Sequence, residues 1–169
     1  MKQLEFEEFY RCGRDACLRA VLAAVGDRQL AEDLVAEAFA RAWATWPRVR
    51  RHPAPRAWIV RTALNTRISW WRRRRYEVAL GDHDGQDAGS AECAESGGSG
   101  LDPALLAVLR QLPRRQREVI ALRVFLDLDT ATTAKTLGIA PGTVTAHLAR
   151  AVATLRGHLV TLNIPEAGS

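Results

Sequence analysis

Positions Phe6, Phe9, Tyr10, Gly13, Cys17, Ala20, Val21 and Ala24 recur at helical spacing along the first stretch of the chain, and Gly26-Asp27 supplies a stop. A second periodic stretch, Arg28 to Trp46, places Ala31, Val35, Ala38, Phe39, Ala42 and Trp46 on one stripe and Glu32, Asp33, Glu37 and Arg41 off it. Pro47, Pro53 and Pro55 then break the chain into a basic loop, PRVRRHPAP, before a third helix expected from about Arg56 to Tyr76. At 100° per residue, Val60, Ala63, Leu64, Ile68 and Trp71 form the expected core face of that helix. Trp58, Arg61, Thr62, Asn65, Ser69 and Arg72 fall on the opposite side, polar apart from one tryptophan.

Residues 79–100, ALGDHDGQDAGSAECAESGGSG, are rich in Gly, Ser, Ala and acids and nearly free of large apolar side chains. Such a stretch cannot bury enough apolar area to offset the entropy of ordering it, and it reads as a flexible linker. It divides the chain into residues 1–78, 79–100 and 101–169. Beyond it, Asp102 and Pro103 have the pattern of an N-cap followed by proline at the first helical position, opening a short helix to about Leu112. Pro113 opens another in PRRQREVIALRVFLDLD, with Val119, Ile120, Leu122, Val124, Phe125 and Leu126 as its apolar residues and Arg114, Arg115 and Arg117 in its first turn. A helix from about Thr130 to Leu137 meets Gly138, and a last helix runs from about Pro141 to Leu159. Ala134, Gly138 and Val144 are spaced as in a helix-turn-helix, with a small residue at the crossing, a glycine free to take positive φ, and an apolar residue locking the second helix. No strand-type alternation occurs. The expected fold class is therefore all-α: two small helical domains joined by a flexible acidic linker, the C-terminal one a helix-turn-helix.

Charge divides the chain along the same lines. Residues 1–75 carry 16 Lys or Arg against 8 acids, residues 76–107 carry 7 acids and no base, and residues 108–169 carry 8 bases against 4 acids. The net charge of +5 conceals two basic bodies around an acidic strip, a distribution that attracts a polyanion such as nucleic acid or an anionic membrane. No run approaches the roughly 18 apolar residues of a membrane span, and MKQLEFEEFYRCGRD has acids where a signal peptide needs an apolar stretch. A cytoplasmic location without membrane insertion is expected. Three cysteines without C-x-x-C spacing argue against a disulfide framework and a zinc cage. Cys12 and Cys17 are expected as small core residues of the first helix, and Cys93 falls in the linker.

The stretch ISWWRRRRY, Ile68 to Tyr76, runs two tryptophans into four arginines. Trp71 is assigned to the core and Trp70 to its boundary, while Arg72, Arg73, Arg74 and Arg75 extend the polar side. An exposed Trp58 with Asn65 and Ser69 beside clustered arginines is what single-stranded nucleic-acid binders use, with stacking worth about 1–3 kcal/mol per base. A structural Trp58 with a solvated basic flank accounts for the same residues, and this helix alone leaves both readings open. Asp82, His83, Asp84 and Asp87 fit no metal-loop spacing and read as solvated linker. Asp33 and Glu37 share a helical face at i, i+4, which favours contact with a partner over metal-dependent nuclease chemistry. With no nucleophile, metal cage or phosphate loop in view, neither catalysis nor a cofactor is expected.

Taken in order, FEEFY, GDRQLAEDLVAEAFARAW, PRAWIVRTALNTRISWWRRRR, LPRRQREVIALRVFLDLD and LGIAPGTVTAHLARAVATLR resemble the extracytoplasmic-function sigma factors of bacterial RNA polymerase, in the two-domain form of actinobacteria. The resemblance spans nearly the whole chain outside the linker. It implies that Asp33, Glu37 and Arg41 hold the clamp helices of the polymerase β-prime subunit. It implies that the Pro47–Arg56 loop with Trp58, Arg61, Asn65 and Ser69 opens the minus-ten promoter element and holds flipped bases, while Arg72 to Arg75 contact backbone. The linker would thread the active-centre cleft toward the RNA exit channel. The helix-turn-helix would sit on the β flap and place Thr143, Thr145, Ala146, His147 and Arg150 in the major groove of the minus-thirty-five element. Core RNA polymerase and promoter DNA are the partners implied, with an anti-sigma protein a further candidate.

Three departures from the family pattern stand out. Ala36 replaces the usual Gln of AEDLVQE, Thr133 and Thr136 occupy usually apolar positions, and Thr145 and His147 replace residues that typically reach DNA. Fewer contacts predict a weak or unusual minus-thirty-five preference, since each lost phosphate contact lowers the salt slope by about 0.9. The principal rival is a regulator that uses the helix-turn-helix alone, without polymerase. An RNA-binding protein would draw on the same Trp and Arg face but leaves the helix-turn-helix unused.

Overall fold

The computed structural model describes residues 1–80 and 100–162, and every regular element among them is helical. α1 (Lys2–Val25) ends where Gly26 takes φ 78° and its N–H returns to the Leu22 carbonyl at 2.8 Å, a left-handed stop that a Cβ would strain. Asp27 then caps α2 (Arg28–Ala44), its carboxylate accepting the Leu30 N–H at 2.9 Å. The chain turns through α3 (Trp46–Val49) into α4 (Pro55–Ala79). Leu18 and Val21 of α1, Leu34, Val35 and Phe39 of α2, and Ile59, Val60 and Ala63 of α4 meet in one core. Phe6, Phe9, Phe39 and Trp46 close one end of it with ring centroids 5.1–6.4 Å apart.

Three expectations for this half are corrected. The basic loop is partly helical: Pro47 sits in the first turn of α3, where its missing N–H costs nothing, and Trp46 and Val49 are buried beneath it. Trp71 is not core but 55% exposed. At 1.5 Å per residue α4 is about 37 Å long and α2 about 25 Å, so the last turns of α4 outrun the helices that would cover them. Cys12 is exposed, while Cys17 is buried, with burial pushing its thiol up to about 12.

In the second half, α5 (Pro103–Gln111) starts from Asp102, whose carboxylate accepts the Ala104 N–H at 2.8 Å. α6 (Arg114–Ile120) does not run straight on to residue 129 as its apolar pattern suggested. It loosens into a π turn, Ala121–Phe125, the Leu126 N–H reaching the Ala121 carbonyl at 3.2 Å. Asp127 follows at φ 52°. Val124, expected in the core, is exposed, whereas Ala121 and Leu122 are fully buried. α7 (Thr130–Leu137) is capped by Asp129 and ends at Gly138 (φ 66°), and α8 (Pro141–Leu162) follows. Val119, Ala134 and Val144 lock α6, α7 and α8 together. Thr133 and Thr136 are buried in this packing: the Thr136 hydroxyl donates to the Thr132 carbonyl at 2.7 Å, and the Thr133 hydroxyl has no partner.

The halves also share a seam that the hydrophobic pattern did not reveal. Ala121 and Leu122 enter the core formed by α1, α2 and α4. Ala23 of α1 packs with Leu109, Leu112, Ile120 and Ala151, and the Arg110 Nε–H donates to the Gly26 carbonyl at 2.7 Å. Residues 81–99, with Asp82, His83, Asp84, Asp87 and Cys93, lie outside the described residues.

Candidate nucleic-acid interface

α2 and α4 pack side by side, and where their exposed faces diverge they leave an open groove of about 430 Å³ lined by Arg41, Ala44, Thr45, Trp58, Thr62 and Asn65. Trp58 is half-buried, one part of it resting on the core of the first half, so its position is set by packing rather than by solvent. Asn65 is exposed two turns further on. An aromatic face and an amide beside a guanidinium make a site that can stack on a base, hydrogen-bond its edge and pair with a phosphate. Thr62 was read from the sequence on the same α4 face as Trp58 and Asn65, whereas Arg41, Ala44 and Thr45 were not read as part of this groove. Their signal was available only as the opposite edge of the α2 stripe, since nothing local says which outer face of α2 borders α4.

Arg61 and Ser69 are exposed on α4, and Arg72, Arg73, Arg74 and Arg75 continue along its projecting end. The Arg75 guanidinium lies 4.3 Å from the Trp71 ring centre, a cation–π contact on an otherwise uncovered indole. Trp70 is exposed beside it. This end of α4 therefore presents aromatic faces and positive charge together, as the polar-side reading of the arginines anticipated and the core reading of Trp71 did not.

Asp33, Glu37 and Arg41 follow one another at i, i+4 spacing on the outer side of α2. The Arg41 Nε–H donates to Glu37 at 2.8 Å and the Gln29 amide to Asp33 at 3.1 Å. Ala36 and Ala40, both exposed, lie between them, so a partner helix can approach this face closely. Arg41 faces both this charged row and the groove.

On α8, Thr143, Thr145, Ala146 and Arg150 are exposed on the outer side, and Val144 is fully buried against α6 and α7. The Thr145 hydroxyl donates back to the Pro141 carbonyl at 3.2 Å, which occupies its proton within the helix. His147 is half-buried on the same helix, with its Nδ1 shut away without a partner. It lies three residues after buried Val144 and four before buried Ala151, at the edge of the packed face. Among the described residues, no helix is long and apolar enough to cross a membrane, and no group of three or more His, Cys, Asp or Glu is placed to hold a metal.

Comparison with known proteins gives this geometry its context. Residues 9–76 match the family model for sigma-70 region 2, and residues 103–155 match that for sigma-70 region 4. The chain is similar to the RNA polymerase sigma-E factor of Streptomyces coelicolor, 36% identical over 95% of this chain and 89% of the relative. It is also similar to the ECF RNA polymerase sigma factor SigL of Mycobacterium tuberculosis, 35% identical over 86% of this chain and 84% of the relative. Among solved structures, the sigma factor RpoE in complex with the anti-sigma factor NepR from Bartonella quintana superposes with a TM-score of 0.74, at 25% identity, over 92% of this chain and 96% of that one. With both sigma-70 regions matched in order and relatives aligned over most of their length, this chain belongs to the extracytoplasmic-function sigma factors, which direct bacterial RNA polymerase to promoters.

Proposed function

We propose that residues 1–78 bind the polymerase clamp and the minus-ten element, that residues 79–100 connect the halves, and that residues 101–169 read the minus-thirty-five element. Asp33, Glu37 and Arg41 dock core RNA polymerase through the outer face of α2, opposite the β-prime clamp helices. The groove between α2 and α4 receives a base flipped out of the non-template strand, stacked on Trp58 and bonded to Asn65. Arg61 and Ser69 line its approach, and Arg72, Arg73, Arg74 and Arg75 follow the backbone. At the other end, the β flap carries α5 to α8, with Thr143, Thr145, Ala146 and Arg150 turned to the major groove. His147 stands beside them with its Nδ1 enclosed, which leaves Nε2 as the ring nitrogen through which it would meet DNA. Nucleotide addition belongs to the polymerase, and the chain works in the cytoplasm. An anti-sigma protein is a candidate partner, since RpoE of the Bartonella complex is bound by one.

The groove is the observation that carries this reading. Opening a base-pair step costs about 1.4 kcal/mol of stacking, and a pocket that captures an unstacked base offsets a step of that size. Run-off transcription with core polymerase on genomic fragments tests it: new start sites that depend on the chain are expected. A gel shift with and without core enzyme separates the rival regulator, which requires tight duplex binding by the chain alone.

A further inference from the structure

The packing of α1 on α2 leaves a small hole of about 60 Å³ on the side away from α4's groove residues. Its floor is Leu18, Val35 and Phe39, each no more than 3% exposed. Its rim is two pairs at i, i+4 spacing, Tyr10 and Arg14 on α1 and Glu32 and Ala36 on α2. The Tyr10 ring stands edge-on to Phe39 with centroids 4.9 Å apart, which fixes that wall. The charged ends of Arg14 and Glu32 engage neighbours on their own helices: the Arg14 guanidinium donates to Asp15 at 3.4 Å, and Glu32 accepts from Arg28 at 3.2 Å. An apolar floor offers water no hydrogen bond, so apolar contact is the better use of this space. Ala36 makes the opening. A longer side chain there would lie across it, and this is where the chain departs from the usual Gln of AEDLVQE.

Asp33 and Glu37 stand on the same outer side of α2, so the inference rests on the clamp-docking reading above and sharpens it. A helix that packs on another seats an apolar side chain among four residues of its partner. Tyr10, Arg14, Glu32 and Ala36 form such a frame across two helices. A volume of about 60 Å³ is the share of roughly two waters, close to the bulk of the branched tip of a leucine. Beside the opening, Glu37 is paired with Arg41, whereas Asp33 accepts from the neutral Gln29 amide, which leaves a carboxylate for a cation of the partner. We propose that the hole is a socket for one aliphatic side chain, leucine-sized or smaller, on a clamp helix of the polymerase β-prime subunit, flanked on that helix by a Lys or Arg that meets Asp33. Ala36 is thereby the residue that sets how tightly the chain holds core enzyme.

A longer side chain fills the socket from its rim in Ala36→Leu and from its floor in Val35→Ile, and V35I does so without touching the outer surface. Equilibrium binding of the full chain to core RNA polymerase reads the effect, with helicity and melting temperature measured beside it. Both variants are expected to keep wild-type helicity, to melt no lower than wild type, and to bind core enzyme roughly ten-fold more weakly, the equivalent of two methyl groups left unburied. Ala40→Leu adds the same bulk to this face outside the socket and is expected to weaken binding less than A36L. Wild-type affinity in V35I overturns the socket even where A36L binds weakly, because bulk on the surface then explains that loss. Should V35I lose helicity, A36L against A40L decides, and a loss no greater in A36L overturns the socket. The double variant D33K/E37K tests the docking itself: weak binding there upholds the docking whatever the socket variants show, and wild-type affinity overturns it. Light scattering of the wild-type chain alone is expected to show a monomer. A dimer that A36L dissociates assigns the socket to a second copy and overturns the proposal.

Discussion

Replacing Trp58 by alanine should impair promoter opening far more than it impairs folding. The indole has two sides with different work: one rests on the core of the first half and the other lines the groove with Arg41 and Asn65. Truncating a fully buried Trp costs about 3–5 kcal/mol, so a half-buried one costs about 2 kcal/mol, within the 5–15 kcal/mol of a typical domain. The lost stack on a base costs a further 1–3 kcal/mol in the opened complex only, which is about 5- to 150-fold in its stability. The assay is binding of polymerase holoenzyme to a fork template whose non-template strand is already single-stranded through the minus-ten element, compared with intact duplex. W58A is expected to weaken both, because the captured base is missing from both complexes, and W58F, which keeps a stacking face, to recover most of the loss. The reasoning is refuted if W58A, with helicity as in wild type, holds the fork template as tightly as wild type, or if W58F is as weak as W58A.

Thr133→Val removes a buried hydroxyl that has no partner and keeps the branched shape, so it should raise stability by about 1 kcal/mol and the melting temperature by a few degrees, read by calorimetry. Cys12 should react with iodoacetamide at pH 8 in the folded chain, whereas Cys17, its thiol held up near 12 by burial, should stay unmodified until the chain is denatured, as peptide mapping would show. Asp129 is held below its ordinary pKa, first by the Thr132 backbone N–H and then by the Thr132 hydroxyl, so its carboxylate is favoured in the folded state. Its contribution is present above the unfolded carboxylate value and fades as pH falls through the lower folded one. The melting temperatures of wild type and D129A should therefore differ at pH 7 and converge at acid pH.

Much of the helical layout was legible because its signals are local. Gly26 and Gly138 end helices where only a residue without Cβ takes positive φ freely, and Asp27, Asp102 and Asp129 start them by offering an acceptor to an orphan N–H. The small-glycine-apolar spacing of Ala134, Gly138 and Val144 likewise specifies how two neighbouring helices cross, and that crossing is what the fold contains. Misreadings arose where a residue's fate depends on distant elements. Periodicity put Trp71 on the core face of α4 correctly as an angle, yet no helix reaches that far along α4 to cover it. Val124 was counted with the core from the apolar run around it, but it lies two residues, about 200°, from fully buried Leu122 and so faces solvent.

By itself, then, the sequence determined where helices begin and end, which stripe of each is apolar, and which families of charge sit at which end of the chain, because those depend on backbone preferences and near neighbours. Only tertiary structure decided that Arg41 of α2 and Thr45 just after it share a groove with Trp58, that His147 turns its Nδ1 inward, and that Leu122 crosses into the other half. Each of those outcomes is set by which surfaces meet. Apolar burial is non-directional, so the same stripe can be satisfied by any partner of suitable shape until the whole chain is assembled.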